Sequence, residues 1–236
     1  MSARRAPARS IGAFGRGDLT ASLVLVFPLL LAYEVGVLFS STVNGVDVLT
    51  RAVFAACHHD RVTYLIVHAT AALAYLLWLR ARGRAGALSL DVIGPLVVEA
   101  GLYALSLGVL LPLVLDQAHL AIAELSLGGR GQAVVMSLGA GVHEELVFRL
   151  GAMAGGLVLL VRAGVDRRAA FAIALGGSAI LFSAAHHWGA YGEPFHASVF
   201  VYRALAGVAF GCIFWYRSFA HAVYAHVLYD LFVLLR

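Results

Sequence analysis

The chain has 236 residues, 61% of them hydrophobic and only 13% charged, with a mean hydropathy of +0.88. That balance excludes an ordinary soluble domain and describes a polytopic membrane protein with short loops. The net charge of +4 rests on seventeen basic residues, all Arg; they cluster between apolar runs as topology signals do and form no exposed stripe, which argues against nucleic-acid binding.

In chain order, Arg4, Arg5, Arg9 and Arg16 precede an apolar stretch from 19 to 39. The stretch is too long for a signal-peptide core, and Ser40-Ser41-Thr42 is a poor cleavage site, so it reads as an uncleaved first helix. A membrane-spanning helix takes about 20 mainly apolar residues. Segments 62 to 79, 93 to 115, 168 to 186, 197 to 216 and 219 to 235 also meet that requirement, with modest loops at 40 to 61 and 116 to 130. The region 131 to 162 is overlong. At about 1.5 Å per residue it would reach about 48 Å, against a bilayer core of about 30 Å, so it should be steeply tilted or broken near Gly151 or Gly155-Gly156.

The expected fold is therefore all-α: a polytopic membrane helical bundle of about seven or eight transmembrane helices, forming a single membrane domain over 1–236. The arginines orient it. With the amino terminus cytoplasmic and seven spans, the inner segments hold Arg4, Arg5, Arg9, Arg16, Arg80, Arg82, Arg84, Arg162, Arg167, Arg168 and Arg217. The outer ones hold Arg51, Arg61, Arg130 and Arg236, and Arg149 and Arg203 fall inside the membrane. This is the asymmetry of the positive-inside rule. The Arg- and Ala-rich composition suggests a bacterial inner membrane. Cys57 and Cys212 match no zinc or redox spacing and read as packing residues.

Three polar sets stand out, because charge inside an apolar span is costly and usually functional. The first is His143-Glu144-Glu145-Leu146-Val147-Phe148-Arg149. Adjacent glutamates on a helix point about 100° apart, so their roles should differ. Glu145 lies four residues before Arg149, the favourable order for a helical ion pair; Glu144 has only Phe148 at that spacing and is the candidate general base. The competing reading is structural, with both acids pairing to Arg149 and Arg203. The second set is Phe182 with His186, beside His187, Trp188, Tyr191 and His196, which suit a membrane interface. The third is His226 and Asp230, at i and i+4 on one helix face, where a carboxylate can hold an imidazole in one tautomer.

A zinc site remains an alternative. The run His143-Glu144-Glu145 is not H-E-x-x-H, but Glu144, His186, His226 and Asp230 offer the nitrogen and oxygen donors that zinc takes. No G-x-S-x-G elbow is present, which disfavours a serine mechanism.

Together the three sets resemble the CPBP family of intramembrane proteases, which includes the type II CAAX prenyl endopeptidases and bacteriocin-immunity homologues. The family pattern is E-E-x-x-x-R, then F-x-x-x-H, then H-x-x-x-N or D on successive helices; here it falls on Glu144-Glu145 with Arg149, Phe182 with His186, and His226 with Asp230. It covers 131 to 235. The resemblance implies an intramembrane endopeptidase, a glutamic peptidase that cuts near the membrane-anchored carboxy-terminal region of a protein or peptide substrate. Glu144, helped by His186, would activate water, His226 and its partner would stabilise the oxyanion, and Glu145 with Arg149 would shape the site, with no cofactor required. Asp230 departs from the Asn of many CAAX-processing members, since an ionised Asp cannot donate a hydrogen bond.

Two other classes compete. A proton-coupled transporter would use Glu34, Glu99 and Arg203 as relay groups, though inverted repeats are not visible; a non-catalytic scaffold would retain only the fold. Helix arithmetic adds a tension. His186 lies about 27 Å along its helix and His226 about 10 Å into the last one, so a shared site requires a shifted boundary in 150 to 175 or inclined helices.

Overall fold

The computed structural model describes residues 18–40, 47–117, 130–188 and 192–235. Arg4, Arg5, Arg9, Arg16, Ser41, Thr42, Tyr191, Arg236 and most of the 116 to 130 loop lie outside them. The described residues form helices α1 (Leu19–Val37), α2 (Val48–Ala56), α3 (Arg61–Ala81), α4 (Leu90–Gln117), α5 (Arg130–Gly139), α6 (Gly156–Arg162), α7 (Arg167–Ala185), α8 (Ala197–Tyr216) and α9 (Phe219–Leu234), with a 3₁₀ turn at Ala85–Leu88. No strand occurs among them. The protein is an all-α membrane helical bundle.

Side-chain caps fix several helix starts by taking up amide groups that the first turn cannot satisfy. Asp18, Asp47 and Asp60 accept from Thr20, Thr50 and Thr63, Asp166 accepts from Arg168 and Ala169, and Ser218 accepts from His221. Helix α2 corrects the sequence reading, which placed only a loop between 40 and 61. It is followed by a sharp turn at His58 and His59, with φ of 52° and 59°, a left-handed conformation that His adopts more readily than most residues.

The overlong region also departs from expectation. It does not break at Gly151 or at Gly155-Gly156. Instead α5 runs into two π segments, Ala140–Glu144 and Leu146–Gly155, and then into α6, with Gly139, Glu145, Gly155 and Gly156 all right-handed helical. Hydrogen bonds from i to i+5 put more residues into each turn, which shortens the rod without interrupting it.

Among the described residues, five helices are long and apolar enough to cross a membrane: α1, α3, α4, α7 and α8. Helix α9, expected as a sixth, has 16 residues, about 24 Å of helix, and is short for a bilayer core. It lies at the centre of the bundle instead, packed most extensively on α4 and also on α8, α1, α5 and the first π segment. Its Phe219, Ala222, Val223, Ala225 and His226 are buried. Close approach to α4 depends on Gly108, where a Cβ would lie 2.6 Å from the Phe232 ring, in keeping with small residues at membrane helix contacts. Leu76, Leu77, Leu102 and Leu113 of α3 and α4 are exposed, as lipid-facing residues should be. Both cysteines are free, Cys57 packing beside Leu38 and Tyr64.

Candidate active site

The two π segments meet at Glu145, and π turns recur at functional sites. There His143, Glu144 and Glu145, consecutive in sequence, face three different partners. Glu145 is fully buried and bridges two helices. Its Oε2 lies 3.1 Å from Nε of Arg149, the i to i+4 pair read from the sequence, and its Oε1 accepts a 2.8 Å hydrogen bond from Nδ1 of His226 on α9.

Arg149 is also fully buried. Its Nη2 donates to the carbonyl of Gly207 at 3.3 Å, and its guanidinium lies 4.8 Å from the Phe182 ring centroid and 5.8 Å from that of Phe210. A dry cation over aromatic faces gains where water is excluded. Gly207 permits this arrangement, since a Cβ there would come within 3.0 Å of Ala179 Cα on α7.

Glu144 turns toward the imidazoles. Its Oε2 is 3.7 Å from Nε2 of His186 and 3.9 Å from Nε2 of His226. The other nitrogen of each ring is already committed. Nδ1 of His186 donates to the Phe182 carbonyl at 2.9 Å, and Nδ1 of His226 donates to Glu145. A carbonyl oxygen can only accept, so the neutral His186 ring carries its lone pair on Nε2. Both rings therefore present Nε2 to the same carboxylate. Phe210 stacks on His226 with centroids 4.4 Å apart, and Phe182 packs edge-on to His186 at 5.1 Å, which limits both rings to these orientations.

Asp230 joins the cluster in a different place from the one its spacing suggests. Its Oδ2 is 3.7 Å from Nε2 of His226, beyond hydrogen-bond range. The residue that orients His226 is Glu145, from another helix. Sequence spacing favours the i to i+4 pair, but only the fold shows that Nδ1 faces α5's continuation rather than the α9 turn below it. Arg203 does not pair with the glutamate run; it binds Glu193 at 2.9 Å. Thus all six sequence candidates converge on one centre, with Glu144, Glu145, Arg149 and His226 buried and His186 and Asp230 half-buried.

Despite the depth arithmetic, His186 and His226 both approach Glu144. Helix α7 starts at Arg167, one residue from its expected boundary, and ends before His186. Helix α8 runs back along it, with Phe200 beside Ser183 and Trp215 beside Phe171. His226 stacks on Phe210 midway along α8, yet its ring still lies 5.9 Å from Phe182 near the α7 end. Helix boundaries are not displaced; the side chains of α9 and α7 meet near that end.

One cluster escaped the sequence reading. His143 points away from Glu144, with Nε2 3.2 Å from Oδ1 of Asp47, and its ring lies 5.0 Å from Tyr33. Asp47 also accepts from the Tyr33 hydroxyl at 2.7 Å and from the Thr50 amide at 2.9 Å. Thr50 in turn donates to Glu34 at 2.9 Å, and Glu34 also accepts from Tyr64. No sequence signal marked it: Asp47 falls in the stretch from 40 to 61, read there as a loop. The transporter candidates fall apart spatially, since Glu34 belongs to this cluster, Arg203 to Glu193, and Glu99 to Arg217 and Tyr103.

For zinc, the donor types of Glu144, His186, His226 and Asp230 are suitable. As placed, however, no three His, Cys, Asp or Glu side chains among the described residues form a group that could hold a metal ion.

Fold and site together define a multi-pass membrane protein with a buried carboxylate–imidazole centre. Residues 128–232 match the family model described as Type II CAAX prenyl endopeptidase Rce1-like. Over that stretch the chain is similar to this family of membrane proteases, within the CPBP group. No curated protein and no solved structure matched it.

Proposed function

We propose that this protein hydrolyses a peptide bond near the membrane-anchored carboxy-terminal region of a protein substrate, with Glu144 as the base that activates water. The observation that carries this reading is the approach of two imidazole Nε2 atoms, from His186 and His226, to one oxygen of Glu144, at 3.7 and 3.9 Å, in a buried site. A water bound among these groups gives its proton to Glu144 as its oxygen attacks the scissile carbonyl. Nε2 of His226, when protonated, donates to the resulting oxyanion, and Glu145 holds the ring in place for that task. As the C–N bond breaks, Glu144 returns the proton to the leaving amine, assisted by His186. Arg149 holds Glu145 in place through their 3.1 Å contact.

The family's name supplies prenylated CAAX chains as one substrate class; the Arg- and Ala-rich composition supports a bacterial chain that processes carboxy-terminal sorting tails, with its amino terminus in the cytoplasm. The test uses purified protein in liposomes and two probes, a farnesylated CAAX peptide and a peptide with a carboxy-terminal membrane tail. Wild-type protein cleaves one of them, and Glu144→Gln, still inserted and folded, cleaves neither. Cleavage by Glu144→Gln would remove Glu144 as the base.

A further inference from the structure

Asp47 and its partners Tyr33 and Thr50 lie outside the family-matched segment, and Asp47 touches His143, the residue immediately before Glu144. We infer that Asp47 and His143 are positioning residues for Glu144, a role that rests on the proposed reading of Glu144 as base. The pair sets the rotation of the first π segment, and so decides where the Glu144 carboxylate points.

The geometry supports this from both sides of the segment. On the α1 side, Gly139 lies against Tyr33, where a Cβ would be 2.4 Å from the ring. On the α9 side, Gly141 lies against Val227 and Val223, where a Cβ would be 2.3 Å from Val227 Cγ2 and 3.1 Å from the Val223 carbonyl. Ala140–Glu144 is thus gripped between two helices through glycines that add no side-chain bulk.

Smooth glycine contacts do not by themselves fix rotation, because no side chain interlocks. His143 supplies the lock. Its Nδ1 lies 3.1 Å from Gly139 O and its Nε2 3.2 Å from Asp47 Oδ1, and it is 4% exposed, against 0% for Asp47. Asp47 is in turn held by Tyr33 and by the start of α2. With His143 tied to the amino-terminal helices, Glu144 is directed to His186 and His226, and Glu145 to Arg149. A turn that slackens by a fraction of an ångström moves the base off its reacting geometry, and misplacement of about 1 Å costs on the order of 100-fold in rate.

The experiment measures ¹⁵N-imidazole spectra and peptide cleavage with the full chain in nanodiscs, comparing wild type with Asp47→Asn, Asp47→Ala and Tyr33→Phe. Resonances are assigned from single His→Gln variants. The expected result is that Asp47→Asn shifts the His143 signals together with those of His186 and His226, and lowers kcat about 10- to 100-fold with little change in KM. Asp47→Ala should be worse, and Tyr33→Phe, which removes one hydrogen bond and keeps the ring, milder in the same direction.

A purely structural tie would lower thermal stability and shift His143 alone, leaving kcat of the folded fraction at the wild-type value. That outcome overturns the inference, and the spectral arm decides it whichever substrate is cleaved. Retained cleavage by Glu144→Gln would instead sink the base assignment, so the two failures are distinguishable.

Discussion

Nδ1 of His226 donates a 2.8 Å hydrogen bond to Oε1 of Glu145, and this contact between α9 and the π-turned helix decides which nitrogen of the ring faces Glu144. Glu145 thereby serves two partners at once, His226 through one oxygen and Arg149 through the other.

Removing Glu145 therefore leaves a guanidinium buried without its carboxylate. Glu145→Ala should destabilise the protein by about 3–5 kcal/mol, the usual cost of an uncompensated buried charge. Thermal unfolding in detergent, compared with Glu144→Gln, should show the large loss only for Glu145→Ala.

Loss of an oxyanion donor typically costs about 100- to 1,000-fold in turnover. His226→Gln should fall in that range with substrate affinity nearly intact, measured as kcat and KM on the same peptide. A change confined to KM would move His226 from the oxyanion to substrate binding.

The glycines of the π region should divide sharply on substitution. Gly141→Ala forces a methyl into Val227 and backbone of α9, an overpacking worth about 1–3 kcal/mol. Gly156→Ala meets nothing within 4 Å and should be neutral or stabilising, by up to about 1 kcal/mol, because Ala is the better helix former. Unfolding midpoints of the two variants check this contrast.

Metal dependence separates the two hydrolytic chemistries. With Glu144 acting on water directly, overnight chelation and gel filtration should leave cleavage unchanged and the protein should carry no stoichiometric zinc by elemental measurement. Loss of cleavage restored by zinc would make Glu144, His186, His226 and Asp230 ligands.

The loop beyond His186 should respond to acid. Burial pushes the Glu193 carboxyl up, but the Arg203 hydrogen bond and charge outweigh this and hold it below its ordinary value. A carboxyl depressed in the folded state contributes stability above its unfolded value and loses it as pH falls through the folded one. Glu193 also anchors the loop, its amide donating to His186 O at 2.9 Å. Hydrogen exchange at that amide should thus accelerate on acidification through the carboxylate range, once corrected for intrinsic rates, and Glu193→Gln should show the same opening at neutral pH.

The helical spans were legible because apolar runs of membrane length announce themselves, and α7 and α8 fall within a residue of their expected limits. Less visible were α2, whose nine residues carry no membrane-length run, and the π segments, whose i to i+5 bonding leaves no simple periodic signature. At the site, spacing identified the Glu145–Arg149 pair correctly because both partners share one helix. It placed Asp230 beside His226, at 3.7 Å, but missed the closer partner Glu145, which lies 81 residues away.

Sequence alone determined that this chain is a helical membrane protein and which ionisable residues are too costly to be incidental, since both follow from composition and from the energetics of charge in an apolar medium. Tertiary structure decided how those residues are shared out: Glu145 to His226 and Arg149, Glu144 to two Nε2 atoms, and His143 to Asp47 on the far side of the helix. These allocations depend on the rotation of one π-turned segment gripped between α1 and α9, and rotation is set by long-range packing that no local pattern encodes.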